Sequence, residues 1–111
     1  RIEVTSWSAD KFSTPHVMGG IVAFFSLEEN TRWVDIRDLS GATIYSGKLF
    51  PNTITGIDKD PNTYGFAVLG GDTEKLIIAI TEFNGTELVD YTILLDLKNN
   101  LKATILWGSA T

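Results

Sequence analysis

A chain of 111 residues with 43% hydrophobic and 21% charged content is the size and composition of one globular domain, so residues 1–111 are read as a single unit that folds without a metal or a disulfide. Fourteen acidic against nine basic residues leave a net charge of −5, and the cations are scattered without a Lys/Arg cluster, which argues against a nucleic-acid or membrane partner because both reward concentrated positive charge. The absence of cysteine excludes disulfides, thiolate metal sites and cysteine nucleophiles, no cofactor is implied, and localisation stays open.

In chain order, Ile2 to Trp7 alternate apolar and polar as a half-buried strand does, and Ser8 to Pro15 read as a loop or one helical turn that Pro15 stops. From Val17 onward the pattern predicts strands at 17–27, 32–39, 42–49, 53–57, 63–69, 75–83, 86–97 and 101–107. Turn residues punctuate them at Ser40-Gly41, Gly70-Gly71-Asp72, Asn84-Gly85 and Lys98-Asn99-Asn100. Such residues supply the positive φ that tight hairpins need. The longest apolar stretch, Gly19 to Phe25, is too short to span a bilayer as a helix.

The last strands can be registered from the pattern, because a slip of one residue would turn every side chain to the wrong face. A two-residue turn at Asn84-Gly85 sets Ile80 opposite Val89, Ile78 opposite Tyr91 and Leu76 opposite Ile93. A three-residue loop at Lys98-Asn99-Asn100 sets Leu97, Leu95, Ile93 and Tyr91 opposite Leu101, Ala103, Ile105 and Trp107, with Asp96 meeting Lys102 on the other face. Extending backwards places Val68, Phe66 and Tyr64 opposite Leu76, Ile78 and Ile80. The predicted fold is therefore all-β, an antiparallel meander of eight to nine strands forming a small barrel or a two-layer sandwich filled by these side chains. Ile36 to Ile44 also matches Ile80 to Leu88 in residue type, a weak repeat that keeps a pair of propeller-like blades as the alternative.

Four groups of residues have side chains that could carry chemistry. Asp58, Asp60 and Asn62 have the spacing of the first calcium ligands of an EF-hand, but the glycine and the bidentate glutamate of that loop are missing, so an ordinary polar turn is preferred. Glu82 and Glu87 are expected to face each other beside the Asn84-Gly85 turn, where they would want water or a cation, or act as paired carboxylates at a barrel mouth. His16, the sole histidine, has no acid at fixed spacing and supports neither a triad nor a metal centre. Asn84-Gly85-Thr86 is formally a glycosylation acceptor, but the turn explains the same residues.

The ligand-binding candidates are Trp33, Asp35, Arg37 and Lys48, on the outward face of the hairpin formed by 32–39 and 42–49. Hairpin geometry sets Trp33 opposite Lys48 and Asp35 opposite Ser46, with Arg37 next along. An aromatic flanked by hydrogen-bonding groups suits a small polar ligand, a sugar or a peptide. On the C-terminal strands the outward face holds Ile77, Leu88, Leu94 and Leu106 where a solvated face would carry charges; the N-terminal segment with Trp7 and Phe12, a second sheet of the same chain or another subunit could cover such a patch, and the expectation is self-association, another subunit covering at least part of it. The functional expectation is a non-enzymatic binding or interaction module, with a small hydrolase or isomerase using Glu82 and Glu87 as the alternative.

Overall fold

A computed structural model describes residues 15–62 and 64–110, with side chains to residue 108. The expected strand at Ile2 to Trp7 and the turn after it lie outside the described residues. Among the described residues eight strands form: β1 His16–Met18, β2 Ile21–Glu28, β3 Thr31–Asp38, β4 Thr43–Lys48, β5 Phe66–Gly71, β6 Lys75–Phe83, β7 Leu88–Asp96 and β8 Lys102–Ala110. They make two antiparallel meanders, β1-β2-β3-β4 and β5-β6-β7-β8. Among the described residues the two sheets do not hydrogen-bond into one another, so the architecture is sandwich-like and not a closed barrel.

One apolar cluster joins the sheets. Ile21, Ala23, Phe25, Val34 and Ile36 of the first sheet and Leu76, Ile78, Ile80, Ile93 and Leu95 of the second alternate with outward residues and are buried together. Among its described residues the connection from β4 to β5 forms no strand, so the strand expected at 53–57 does not exist. It adds Leu49, Phe50 and Ile54 to the same core. Its backbone is tied to both sheets, by Leu49 N–H to the Arg32 carbonyl at 2.9 Å and by Thr81 N–H to the Gly65 carbonyl at 2.9 Å.

The stretch read as one strand at 17–27 is broken into β1 and β2 by Gly19 and Gly20, both at positive φ, with Met18 opposite Ile21. That is the backbone of a two-residue hairpin turn, which glycine adopts without a steric cost. At Gly19 a side chain has no room either, since an added Cβ would run into the Gly71 carbonyl oxygen at the end of β5.

The C-terminal register is partly as expected. Asp96 meets Lys102, Leu95 meets Ala103 and Ile93 meets Ile105, while Leu97 and Leu101 close the loop inside the core. A bulge then inserts Leu106, so Tyr91 opposes Gly108, and Trp107 opposes Thr92 and faces outward instead of filling the interior. Between β6 and β7 the expected register is wrong by two residues: Ile80 pairs with Tyr91, Ile78 with Ile93 and Leu76 with Leu95. The connection is a four-residue loop, Asn84 to Glu87, in which Asn84 Oδ1 accepts the N–H groups of Thr86 and Glu87, each at 2.9 Å. A slip by two preserves faces, which is why the expected core survives.

The β5 register shifts likewise, with Phe66 opposite Ile80 and Val68 opposite Ile78, and Tyr64 lies exposed outside the sheet. The repeat of Ile36 to Ile44 at Ile80 to Leu88 maps the third strand of one sheet onto the second strand of the other, so it reflects shared hairpin grammar and not a repeated blade. The loops themselves differ. After β3, Asp38 Oδ1 accepts from the Ser40 hydroxyl at 2.6 Å and from the N–H groups of Ser40 and Ala42 at 2.9 and 3.0 Å. The Ser40 hydroxyl first, then the backbone donors, hold the Asp38 carboxyl below the usual carboxylate range.

Candidate functional site

The four ligand-binding candidates do share one face of the first sheet. Trp33 pairs with Lys48 and Asp35 with Ser46, as expected, and a bulge between Ile36 and Arg37 then sets Arg37 opposite Thr43. Lys48 is exposed and Trp33 half-buried, but the expected solvated face stops there, because Asp35 is 0% and Arg37 5% exposed. The two charges form an ion pair, with Arg37 Nε donating to Asp35 Oδ2 at 2.8 Å. Pairing is what permits their burial. Asp35 Oδ1 and Ser46 Oγ, on residues that oppose each other across the strands, are buried without a hydrogen-bond partner. This constellation is an internal ion pair, with only Trp33 and Lys48 presented at its margin.

Glu82 and Glu87 do not face each other. Glu82 opposes Val89 and is 1% exposed, while Glu87 sits exposed in the four-residue loop. Burial pushes the Glu82 carboxyl above its ordinary value, and the negative charge of Asp58 adds to this; the Lys59 backbone N–H, which donates to Glu82 Oε2 at 3.3 Å, acts the other way. The loop extension that moved the register by two is the physical reason the pair is lost.

The Asp58 to Tyr64 segment behaves as a turn. Asp60 Oδ1 accepts the Asn62 N–H at 2.9 Å, and Asn62 Oδ1 accepts the Arg32 N–H at 3.4 Å. Among the described residues no group of three or more His, Asp or Glu side chains is placed to hold a metal ion. Residues 50–54 and 57–62 of this connection also enclose a hollow of about 390 Å³.

A second concavity, which the sequence reading did not find, opens at the seam between the sheets. It measures about 330 Å³ and is lined by His16, Phe25, Ser26 and Leu27 of the first two strands, Arg32 of β3, and Phe66, Ala67 and Val68 of β5. Its base is aromatic: Phe25 and Phe66 meet at 5.2 Å between ring centres, and His16 stands edge-on against Phe25 at 5.3 Å. The Arg32 guanidinium lies over the Phe66 ring at 4.8 Å from its centre. One of its terminal nitrogens, Nη2, donates to the Tyr64 carbonyl at 2.6 Å, and Nε is buried with no acceptor. Burial lowers the Arg32 pKa, although the group stays a cation under any ordinary condition.

The cleft thus combines flat apolar walls with a cation that retains an unused donor, and among the described residues none that lines it is a carboxylate. Its size lies at the lower end of small-ligand sites, about 300–1,000 Å³. His16 enters it as an aromatic wall. Comparison of the chain with profiles of known protein families, with characterised proteins and with solved structures gives no match.

Proposed function

We propose that the chain is a non-enzymatic binding module whose ligand site is the inter-sheet cleft, and that the ligand is small, with a flat apolar body and a carboxylate. The observation that carries this reading is the buried, unpaired Nε of Arg32 above the Phe66 ring. Leaving a buried donor unmade costs on the order of 1–3 kcal/mol, which an acceptor entering the cleft would recover. A carboxylate does so with a charge-assisted bond, and Phe25, Phe66 and His16 supply faces and edges for a ring. The overall charge of −5 opposes anions only over distance, and at physiological ionic strength charges beyond about 8 Å are largely screened. A sugar or peptide on the Trp33 face is less well supported, since Asp35 and Arg37 are buried and leave Trp33 and Lys48 as the candidates at its margin. The carboxylate-pair hydrolase loses its pair.

Titration of the chain with phenylacetate, followed by amide and aromatic NMR shifts, tests the proposal. Expected is a saturating response centred on His16, Arg32 and Phe66, absent with neutral phenylacetamide and weakened about tenfold or more in Arg32→Gln, with the spectrum otherwise retained. Equal binding of the neutral amide, or no response at millimolar ligand, would overturn it.

A further inference from the structure

On the proposed reading of the cleft as a carboxylate site, on which this depends, we infer that the ligand is the carboxyl terminus of a peptide, added as an antiparallel strand to the open edge of β5. Among the described strands β5 is hydrogen-bonded to β6 alone. The Thr81 N–H donates to the Gly65 carbonyl, and the register continues as Phe66 with Ile80, Ala67 with Ala79 and Val68 with Ile78. Bonded and non-bonded positions alternate in an antiparallel pair, so Gly65 and Ala67 turn their N–H and C=O groups toward β6. Phe66 and Val68 turn theirs the other way, to the edge where no strand pairs with them among the described residues.

That edge is part of the cleft. Phe66, Ala67 and Val68 all line it, and since the side chains of consecutive residues take opposite faces, what the three share with the cleft is the edge of their strand. A bulge at Leu69 breaks the register after Val68, so the regular edge is short and offers room for the last residues of a chain only. An extended peptide meets such an edge through its main chain, and pockets for alternate side chains give specificity.

Arg32 sets the direction. Its guanidinium lies over the Phe66 ring and donates to the Tyr64 carbonyl, so the cation stands where β5 begins. A strand antiparallel to β5 ends there, which brings its terminal carboxylate to the buried, unpaired Nε. A parallel strand would begin there and set an ammonium against a guanidinium. The last residue then lies opposite Phe66 and the last but two opposite Val68, with side chains on the inward face that Phe66 and Val68 share. The residue between them lies opposite Ala67, which is exposed, and points to solvent. The recognised pattern is an aromatic final residue, any residue before it and an apolar residue before that.

Titration of the full chain with acetyl-Gly-Val-Ser-Phe, followed by amide NMR shifts and hydrogen exchange, tests this. The peptide is expected to bind about tenfold or more tightly than N-acetylphenylalanine, which has the same ring and carboxylate without the strand, and to slow exchange at the Phe66 and Val68 amides. Its C-terminal amide should bind about tenfold or more weakly than the acid. Methylation of the valine nitrogen, which faces the Val68 carbonyl, should weaken binding to a similar degree, while methylation of the serine nitrogen, which faces away from β5, should not. If N-acetylphenylalanine binds as tightly as the peptide, strand addition is overturned and the carboxylate reading stands. Indifference to the valine methyl group overturns the antiparallel pairing on β5. Equal binding of acid and amide, or no response to either acid at millimolar concentration, overturns both the inference and the reading beneath it.

Discussion

The two sheets share a strand number and a meander order, yet they use the faces turned away from the core in opposite ways. On the first, Asp35 and Arg37 stand where alternation puts solvent-facing residues, and both are buried as an ion pair. On the second, Leu106 and Trp107 stand on the corresponding face and are exposed. Alternation along a strand reports which side of the sheet a residue takes. It does not report whether that side is wet, and here the polar side is the dry one and the apolar side the open one.

Three experiments on stability bear on this contrast, and the largest effect belongs to the first sheet. Asp35→Ala takes the Asp35 carboxylate away from the buried Arg37 guanidinium and should cost about 3–5 kcal/mol in urea denaturation, more than Asp35→Leu with Arg37→Met, which removes both charges. A mild loss from Asp35→Ala alone would mean that the outer face of the first sheet is as open as that of the second. In the second sheet the cost should lie on the inner side: Ile93→Ala opens a cavity in the shared core at about 2–5 kcal/mol. Equal tolerance of Ile93→Ala and Leu106→Lys would erase the distinction between its faces.

The smallest effect concerns the one acid that the second sheet turns inward. Because burial raises the Glu82 pKa in the folded chain above its unfolded value of about 4.5, the charged form opposes folding at neutral pH, and that cost disappears as the pH falls through the folded value toward 4.5. Glu82→Gln keeps an acceptor for the Lys59 N–H and has no such dependence. Its melting temperature should equal or exceed that of wild type at neutral pH, with the difference narrowing on acidification. A variant less stable at neutral pH would show that the Glu82 charge is favourable where it sits.

The fold class was legible because apolar periodicity and turn chemistry agree along most of the chain. Leu95 with Ala103 and Ile93 with Ile105 followed from choosing the loop that keeps every inward pair apolar. Loop length at Asn84 did not follow, since Asn84 serves a two-residue turn as readily as it caps the four-residue loop that forms. The Gly19-Gly20 turn did leave a signal, two adjacent glycines inside an apolar run, but those glycines sit within a stretch apolar enough to pass for one strand.

The candidate site was half legible. The pairings of Trp33 with Lys48 and of Asp35 with Ser46 came from one hairpin, which local sequence governs. Arg32 and Phe66 belong to different sheets, and no periodicity within either strand specifies that one will lie over the other. The bulge at Leu106 was equally silent, because Ile105, Leu106 and Trp107 are all apolar and their order does not say which of them turns outward.

Where Gly19 meets Gly71 the sheets touch backbone to backbone, and β5 runs from that contact to the cleft at Phe66. Five residue steps of strand make a lever arm of about 16 Å. With the near end fixed by two chains that have no side chain to yield, the gap between Phe66 and Arg32 is set by the angle at which the sheets diverge, and a change of about 4° in that angle moves the far wall by about 1 Å. Substitution at Gly19 would therefore reach the opposite end of β5 as a change in the aperture of the cleft, carried by the strand itself and not by any side chain between the two places.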